Sequence, residues 1–133
     1  MSTLPRRRRL TDDERESFTH INPLLMDRVR LIRTNLLPPA AHGMTLGPWV
    51  LLRGDRIGQE RTELIAHELV HVQQFVTMGS RRFVATYVAE YLRNLFKMRS
   101  HRAAYLAISL EEEARRLASE WRAAERHKAH ETG

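Results

Sequence analysis

The sequence predicts a mainly α fold with a small β element, an α+β arrangement in the broad sense. Three observations predict it. Apolar residues recur at helical spacing through the second half of the chain: Ile65, Leu69, Val72 and Val76, then Phe83, Tyr87, Tyr91 and Leu95, then Leu110, Ala114, Leu117 and Trp121. Only residues 44–53 read as extended. Helix start and stop signals punctuate the chain at helix-length intervals. The 133 residues fit one domain, which can bury roughly two-thirds of its unfolded surface.

The elements follow in order. Residues 1–10 read as a loose basic tail that carries the run Arg6-Arg7-Arg8-Arg9. Thr11 with Glu14 makes a capping box, so a helix should begin at Asp12 and run to about His20. Asn22 is a good N-cap and Pro23 suits the first helical position, which predicts a second helix over 23–35. Leu36-Leu37-Pro38-Pro39 ends it and opens a loop through Gly43. Residues 44–53 are apolar and interrupted by Gly47-Pro48. Proline restricts such a segment to an edge strand or a small hairpin. After a turn at 54–58, a helix is expected over 60–78. Gly79 suits its C′ position and Ser80 the N-cap of the next helix, over 81–99. That helix carries two adjacent stripes: Phe83, Tyr87, Tyr91 and Leu95, and Val84, Val88, Leu92 and Phe96. So wide an apolar surface reads as core. Residues 100–109 link to a last helix from 110 to about 126, and 127–133 should fray.

The helix over 60–78 contains His67-Glu68-Leu69-Val70-His71. Residues four apart share a helical face, so His67 and His71 can bind one metal ion, with Glu68 beside it to activate a water. Neutral imidazoles are good zinc ligands, and a catalytic zinc keeps its fourth position for water. Zn2+ is therefore the expected cofactor. His67, His71 and Gln74 fall opposite the apolar stripe, as a cleft-lining face would.

A third ligand must come from elsewhere. The extended pattern His-Glu-x-x-His-x-x-Gly-x-x-His needs Gly at 74 and His at 77. Gln74 and Thr77 stand there, which excludes that class. Glu111, Glu112 and Glu113 open the last helix. Glu112 points away from its buried face, while Glu111 and Glu113 flank that face and either could reach inward. Acidic residues are also favourable in the first turn of any helix, which accounts for part of the run. An oxyanion developing in peptide hydrolysis needs a donor. Tyr105 and His101 could reach the cleft, whereas Tyr87 and Tyr91 lie on the packing stripe and are weaker candidates. His20, His42, His127 and His130 fall in tails or turns and have no specific role on this reading.

His-Glu-Leu-Val-His-Val-Gln-Gln, followed by Glu111-x-Glu113-Ala114, resembles the mini-zincins, small bacterial gluzincin-like metallopeptidase domains with a thermolysin-like zinc centre. The resemblance spans roughly residues 45–118. It implies a compact zincin-like core: an active-site helix, a short strand or hairpin on the cleft rim, and packing helices. Wider relatives, including membrane-embedded CAAX-type proteases, carry Glu-x-x-Ala-Asp with the first Glu as ligand. That match implies Glu111 as the metal ligand. Arg115 stands where those relatives have Asp, so the group that receives the other N–H of His67 or His71 is not given by the pattern. The resemblance also implies that the strand 49–52 pairs with extended substrate through a free edge.

Composition narrows the partners. There is no cysteine, so neither disulfides nor thiolate ligands are available, which suits a cytoplasmic protein. No apolar run of about 18 residues predicts a transmembrane segment, and no apolar stretch follows the first basic residues as a secretory signal requires. The net charge is +6. An acidic partner could dock through Arg6, Arg7, Arg8 and Arg9. Nucleic acid is not expected, because no helix-turn-helix, zinc finger or aromatic-interleaved basic strand is present. Two functions emerge. The first is a zinc metallopeptidase acting on peptides or unfolded segments, with His67, His71 and Glu111 on the metal and Glu68 and Tyr105 in catalysis. The second is a non-proteolytic, metal-containing binding module whose basic surface meets an acidic partner or nucleic acid.

Overall fold

The computed structural model describes residues 7–37, 41–54 and 59–132. They are mainly helical, with a small four-stranded sheet, as the sequence predicts. The order along the chain is β1 (Arg7–Arg8), α1 (Asp12–Ser17), α2 (Pro23–Met26), β2 (Arg30–Arg33), β3 (Gly43–Leu46), β4 (Trp49–Leu52), α3 (Gln59–Met78), α4 (Ser80–Met98), α5 (His101–Leu106) and α6 (Ser109–Thr132). The strands lie in the order β1-β2-β4-β3. β1 is antiparallel to β2, β2 parallel to β4, and β4 antiparallel to β3.

The capping box forms. The Glu14 N–H donates to Thr11 Oγ1 at 3.1 Å, and the Thr11 N–H donates to Glu14 Oε1 at 2.8 Å. The Glu14 carboxylate also takes both terminal nitrogens of Arg8, at 2.6 and 3.1 Å. Burial pushes the Glu14 pKa up, but the Arg8 fork and the Thr11 N–H outweigh it and hold the carboxyl below its ordinary value. This clamp corrects the expectation of a loose tail over 1–10. Residues 1–6 lie outside the described residues, but Arg7 and Arg8 pair with Ile32 and Leu31, and Leu10 joins the core.

The predicted helix over 23–35 is also corrected. Asn22 does cap a helix, accepting from the Leu24 N–H at 3.0 Å, but α2 ends at Met26. From Arg28 the pattern changes period. Val29 and Leu31 are buried while Arg28 and Arg30 are not, and alternation of this kind belongs to a strand.

Residues 43–52 form the small hairpin. Gly47 supplies the positive φ of its turn (62°). The expectation that 49–52 offers a free edge fails, because β4 is an interior strand between β2 and β3. Among the described residues the edge on this side is β3. Strand alternation then decides what α3 meets. Val50 and Leu52, with Thr45 paired to Val50, are buried, while Leu46 and Trp49 sit on the opposite, half-exposed face.

α3 packs on β3 and β4 on one side and on α6 on the other. The core at this junction is Ile65, Ala66, Leu69, Val70 and Val72 against Val50, Leu52, Ala114 and Trp121. Val76, the last member of the predicted stripe, is half-exposed. At the α3–α4 junction Gly79 (φ 88°) is the N-cap of α4, and Ser80 lies inside the helix rather than capping it. Phe83 is buried, but Val84, Val88, Leu92 and Phe96 are exposed, against the reading of both α4 stripes as core. α4 meets α3, α5 and α6 on one side only. α6 runs on to Thr132 rather than fraying at 127, with His127–Glu131 and Glu125–Lys128 pairs along its last turns.

His20 is not idle. Its Nε2 donates to the Ala66 carbonyl at 3.1 Å, and its ring packs 5.6 Å from that of Trp121. Trp121 Nε1 in turn donates to the Ser17 carbonyl at 2.6 Å, tying α6 to the end of α1. The buried His20 Nδ1 has no partner, so the ring is neutral, and burial lowers its pKa despite the Ala66 bond. A depressed folded pKa contributes stability that is full above the unfolded value of about 6.5 and is lost as pH falls through the folded one. Stability should therefore drop below about pH 6.5, and the drop should be smaller in His20→Phe. Urea unfolding of both proteins at a series of pH values checks this; parallel curves would remove His20 as the cause.

Candidate metal centre

Helical spacing puts the His67 and His71 rings on one face of α3, with centroids 5.0 Å apart. The α3–α6 packing brings the first turn of α6 against that face. Glu111 Oε1 lies 2.9 Å from His67 Nε2 and 3.0 Å from His71 Nε2. One ligand atom from each of the three residues lies within 4.8 Å of the others, among the described residues. His71 and Glu111 are buried and His67 is partly open. Between the two acidic candidates on α6 the geometry is decisive. Glu111 joins the histidines, while Glu113 is exposed and accepts from Gln74 Nε2 at 2.9 Å.

Gln74 sets the protonation of the site. Its Nε2 donates to the Leu110 carbonyl at 3.1 Å as well as to Glu113, and both of these are acceptors only. Its Oε1 must therefore be the atom 2.7 Å from His71 Nδ1, and Nδ1 must carry the proton. The neutral tautomer that results points the Nε2 lone pair at Glu111, a carboxylate oxygen. Two acceptors do not approach to 3.0 Å without a cation between them or a proton on the nitrogen. The His71 pKa shows the same demand: burial pulls it down, but the bonds to Glu111 and the Glu111 and Glu68 charges push it up further. Burial alone would raise the Glu111 carboxyl. Hydrogen bonds from His67, His71 and Tyr87 hold it well below the carboxylate range instead.

The donor set fits zinc. Two imidazole nitrogens and one carboxylate oxygen are the ligands of a three-residue zinc site, and the outward N–H of His71 is already braced. Glu111 Oε1 already stands 2.9 and 3.0 Å from the two imidazole nitrogens, so these three side chains are the ones that would hold the ion.

Glu68 is buried beside the cluster but is not part of it. Thr45 Oγ1 donates to Glu68 Oε2 at 2.8 Å. Burial raises the Glu68 pKa, opposed by the charges of His71 and His67 and by the Thr45 bond. Gly43 leaves room for this carboxylate, because a Cβ there would lie 3.3 Å from Glu68 Oε1, from the Leu51 carbonyl oxygen and from Leu64 Cδ1. Tyr87 Oη donates to Glu111 Oε2 at 2.6 Å. Burial raises the pKa of the Tyr87 and Tyr105 phenols, and the Glu111 charge adds to it, so both keep their protons. His101 faces the cleft, but its Nδ1 is engaged by Tyr91 Oη. His127 and His130 lie on exposed turns of α6.

The site opens into a cleft of about 1270 Å³. One wall is β3, with Met44 and Leu46; the other is Val84, Val88, Tyr105 and Leu106 of α4 and α5. Arg115 lines it too, but its guanidinium donates to the Leu106 carbonyl and does not brace the histidines.

The sequence reading missed the partners rather than the cluster. Thr45 and Gly43 were readable only as alternate residues of a strand, and Tyr87 was assigned to packing. Gln74 was placed on the correct face without a role. Compared with known proteins, the chain matches no protein-family model, no curated protein and no solved structure.

Removing the brace should weaken the site without dismantling it. Gln74→Leu is expected to lower zinc affinity about 10–100-fold, the usual effect of losing such a partner. Glu113→Gln, which keeps an acceptor for Gln74 Nε2, should leave it near wild type. Competition titration with a zinc indicator measures both; equal affinities in wild type and Gln74→Leu would show that Gln74 does not orient His71.

Proposed function

We propose that this protein is a zinc-dependent metallopeptidase of the minimal, gluzincin-like type that its His-Glu-x-x-His segment resembles. One observation carries the reading: His67 Nε2 and His71 Nε2 converge on one Glu111 oxygen, at 2.9 and 3.0 Å, a two-imidazole, one-carboxylate set of the kind that holds zinc, with Glu68 buried next to it. Zinc held by these three residues would supply Lewis acidity, polarising a scissile carbonyl and acidifying a water. Glu68 takes the proton of the attacking water and delivers it to the leaving amine. Thr45 holds one oxygen of that carboxylate, and burial makes it a stronger base than an exposed glutamate. Tyr87 fixes Glu111 through its second oxygen, a positioning role. Tyr105, protonated and on the cleft wall, is placed to donate to the developing oxyanion.

The cleft exceeds the usual 300–1,000 Å³ of small-ligand pockets, which favours a peptide or an unfolded segment as substrate. Absence of cysteine agrees with work in the cytoplasm. Among the described residues no helix is long and apolar enough to cross a membrane. The competing reading, a module docking through Arg6, Arg7, Arg8 and Arg9, is weakened because the Arg8 guanidinium is already spent on Glu14.

Glu68→Gln should bind zinc with near wild-type affinity yet lose at least about 10³-fold in kcat/KM, since it keeps the shape and removes the base. Tyr105→Phe should lower kcat by about 10–100-fold with little change in KM. A fluorogenic peptide library with zinc-loaded protein provides the rates. Full activity in Glu68→Gln would overturn the mechanism.

A further inference from the structure

The outward face of α4 is apolar, and none of the described residues covers it. At about 100° per residue, Leu92, Ala85, Phe96 and Ala89 fall within roughly 60° of one another, opposite the buried Phe83. Val88 and Val84 extend the band toward the cleft, which they also line. Exposure is 50% at Val84, 46% at Val88, 56% at Leu92 and 80% at Phe96. From residue 84 to 96 the band runs about 18 Å along the helix. Monomeric proteins rarely leave so continuous an apolar strip in water.

The charges around it have one sign. Arg82, Arg93 and Lys97 border one side of the band, and Arg81 and Arg99 stand at its ends; all five are exposed. Arg102 follows on α5. Over residues 80–110 the sole acidic side chain is Glu90, and it is taken by the backbone N–H and hydroxyl of Ser109. The band is thus framed by cations with long apolar stems and has no free carboxylate beside it.

We propose that this face of α4 docks on an anionic lipid bilayer, lying in the interface with Leu92 and Phe96 inserted and the arginines and lysine among the headgroups. An aliphatic and aromatic stripe flanked by basic residues is the pattern of helices that lie in a membrane surface. Long basic side chains reach headgroup phosphates while their stems cover the acyl boundary. A second copy of this chain fits less well, because pairing two such faces would bring like-charged borders together. Docking on this face would set the mouth of the cleft, at Val84 and Val88, beside the bilayer. The inference is independent of whether the metal site is catalytic.

The experiment is flotation of the full chain with phosphatidylcholine vesicles, alone or mixed with phosphatidylserine. Binding is expected only with phosphatidylserine and should fall as salt rises. Leu92→Ser/Phe96→Ser should lose about tenfold or more in partitioning, because it removes the inserting groups and keeps every charge. Circular dichroism would verify that this doubly exposed change leaves the helices intact. Phe96→Trp should show a blue-shifted emission with the mixed vesicles and none with phosphatidylcholine alone. Three outcomes would overturn the proposal. The first is no binding to the mixed vesicles at low salt. The second is binding that the double variant retains, which would assign it to the other basic residues. The third is a wild-type dimer, made monomeric by the double variant, that ignores vesicles.

Discussion

The contact between α3 and α6 is the constraint on which the site depends. It is an apolar contact, built from Leu69, Ala66 and Val70 against Ala114, Ala118 and Trp121. Yet its consequence is polar: it delivers the Glu111 carboxylate to two imidazoles forty or more residues earlier. Burying a carboxylate costs free energy unless hydrogen bonds or positive charge compensate, and here His67, His71 and Tyr87 converge on it. Hydrophobic packing therefore holds in place a cluster of polar groups that converge on one carboxylate.

The surrounding groups fix how the cluster is arranged. Gln74 fixes the tautomer of His71 because its own amide is locked by Leu110 and Glu113, so the protonation of a ligand is decided two bonds away. Tyr87 occupies the second oxygen of Glu111, leaving one to face the histidines. Thr45 keeps Glu68 turned aside and out of the ligand set. Each of the two glutamates is held by a different neighbour, Glu111 by Tyr87 and Glu68 by Thr45.

The sheet contributes by alternation. Gly43 and Thr45 face α3 because strand residues alternate and the hairpin turn at Gly47 pairs Thr45 with the buried Val50. β1 and β2 lie on the far side of β4 and support it, with Arg8 fastening β1 to the first turn of α1. Among the described residues the outward face of α4 stays uncovered.

Local information in the sequence determined a good deal here. The capping box at Thr11, the cap at Asn22, the long helices and the pairing of His67 with His71 all depend on neighbours within a few residues, where 3.6-residue spacing and side-chain chemistry suffice. The same local logic failed where a segment's partner decides its state. Residues 30–33 became a strand because β1 and β4 flank them, and 49–52 became interior for the same reason. The exposed stripe of α4 looks identical in sequence to a buried one; what distinguishes them is that no described residue packs over it. Glu111 and Glu113 are equivalent on the helical wheel, and the angle at which α6 crosses α3 chose between them. Spacing along the chain sets which groups can share a face, but which face meets which is a property of the packed whole.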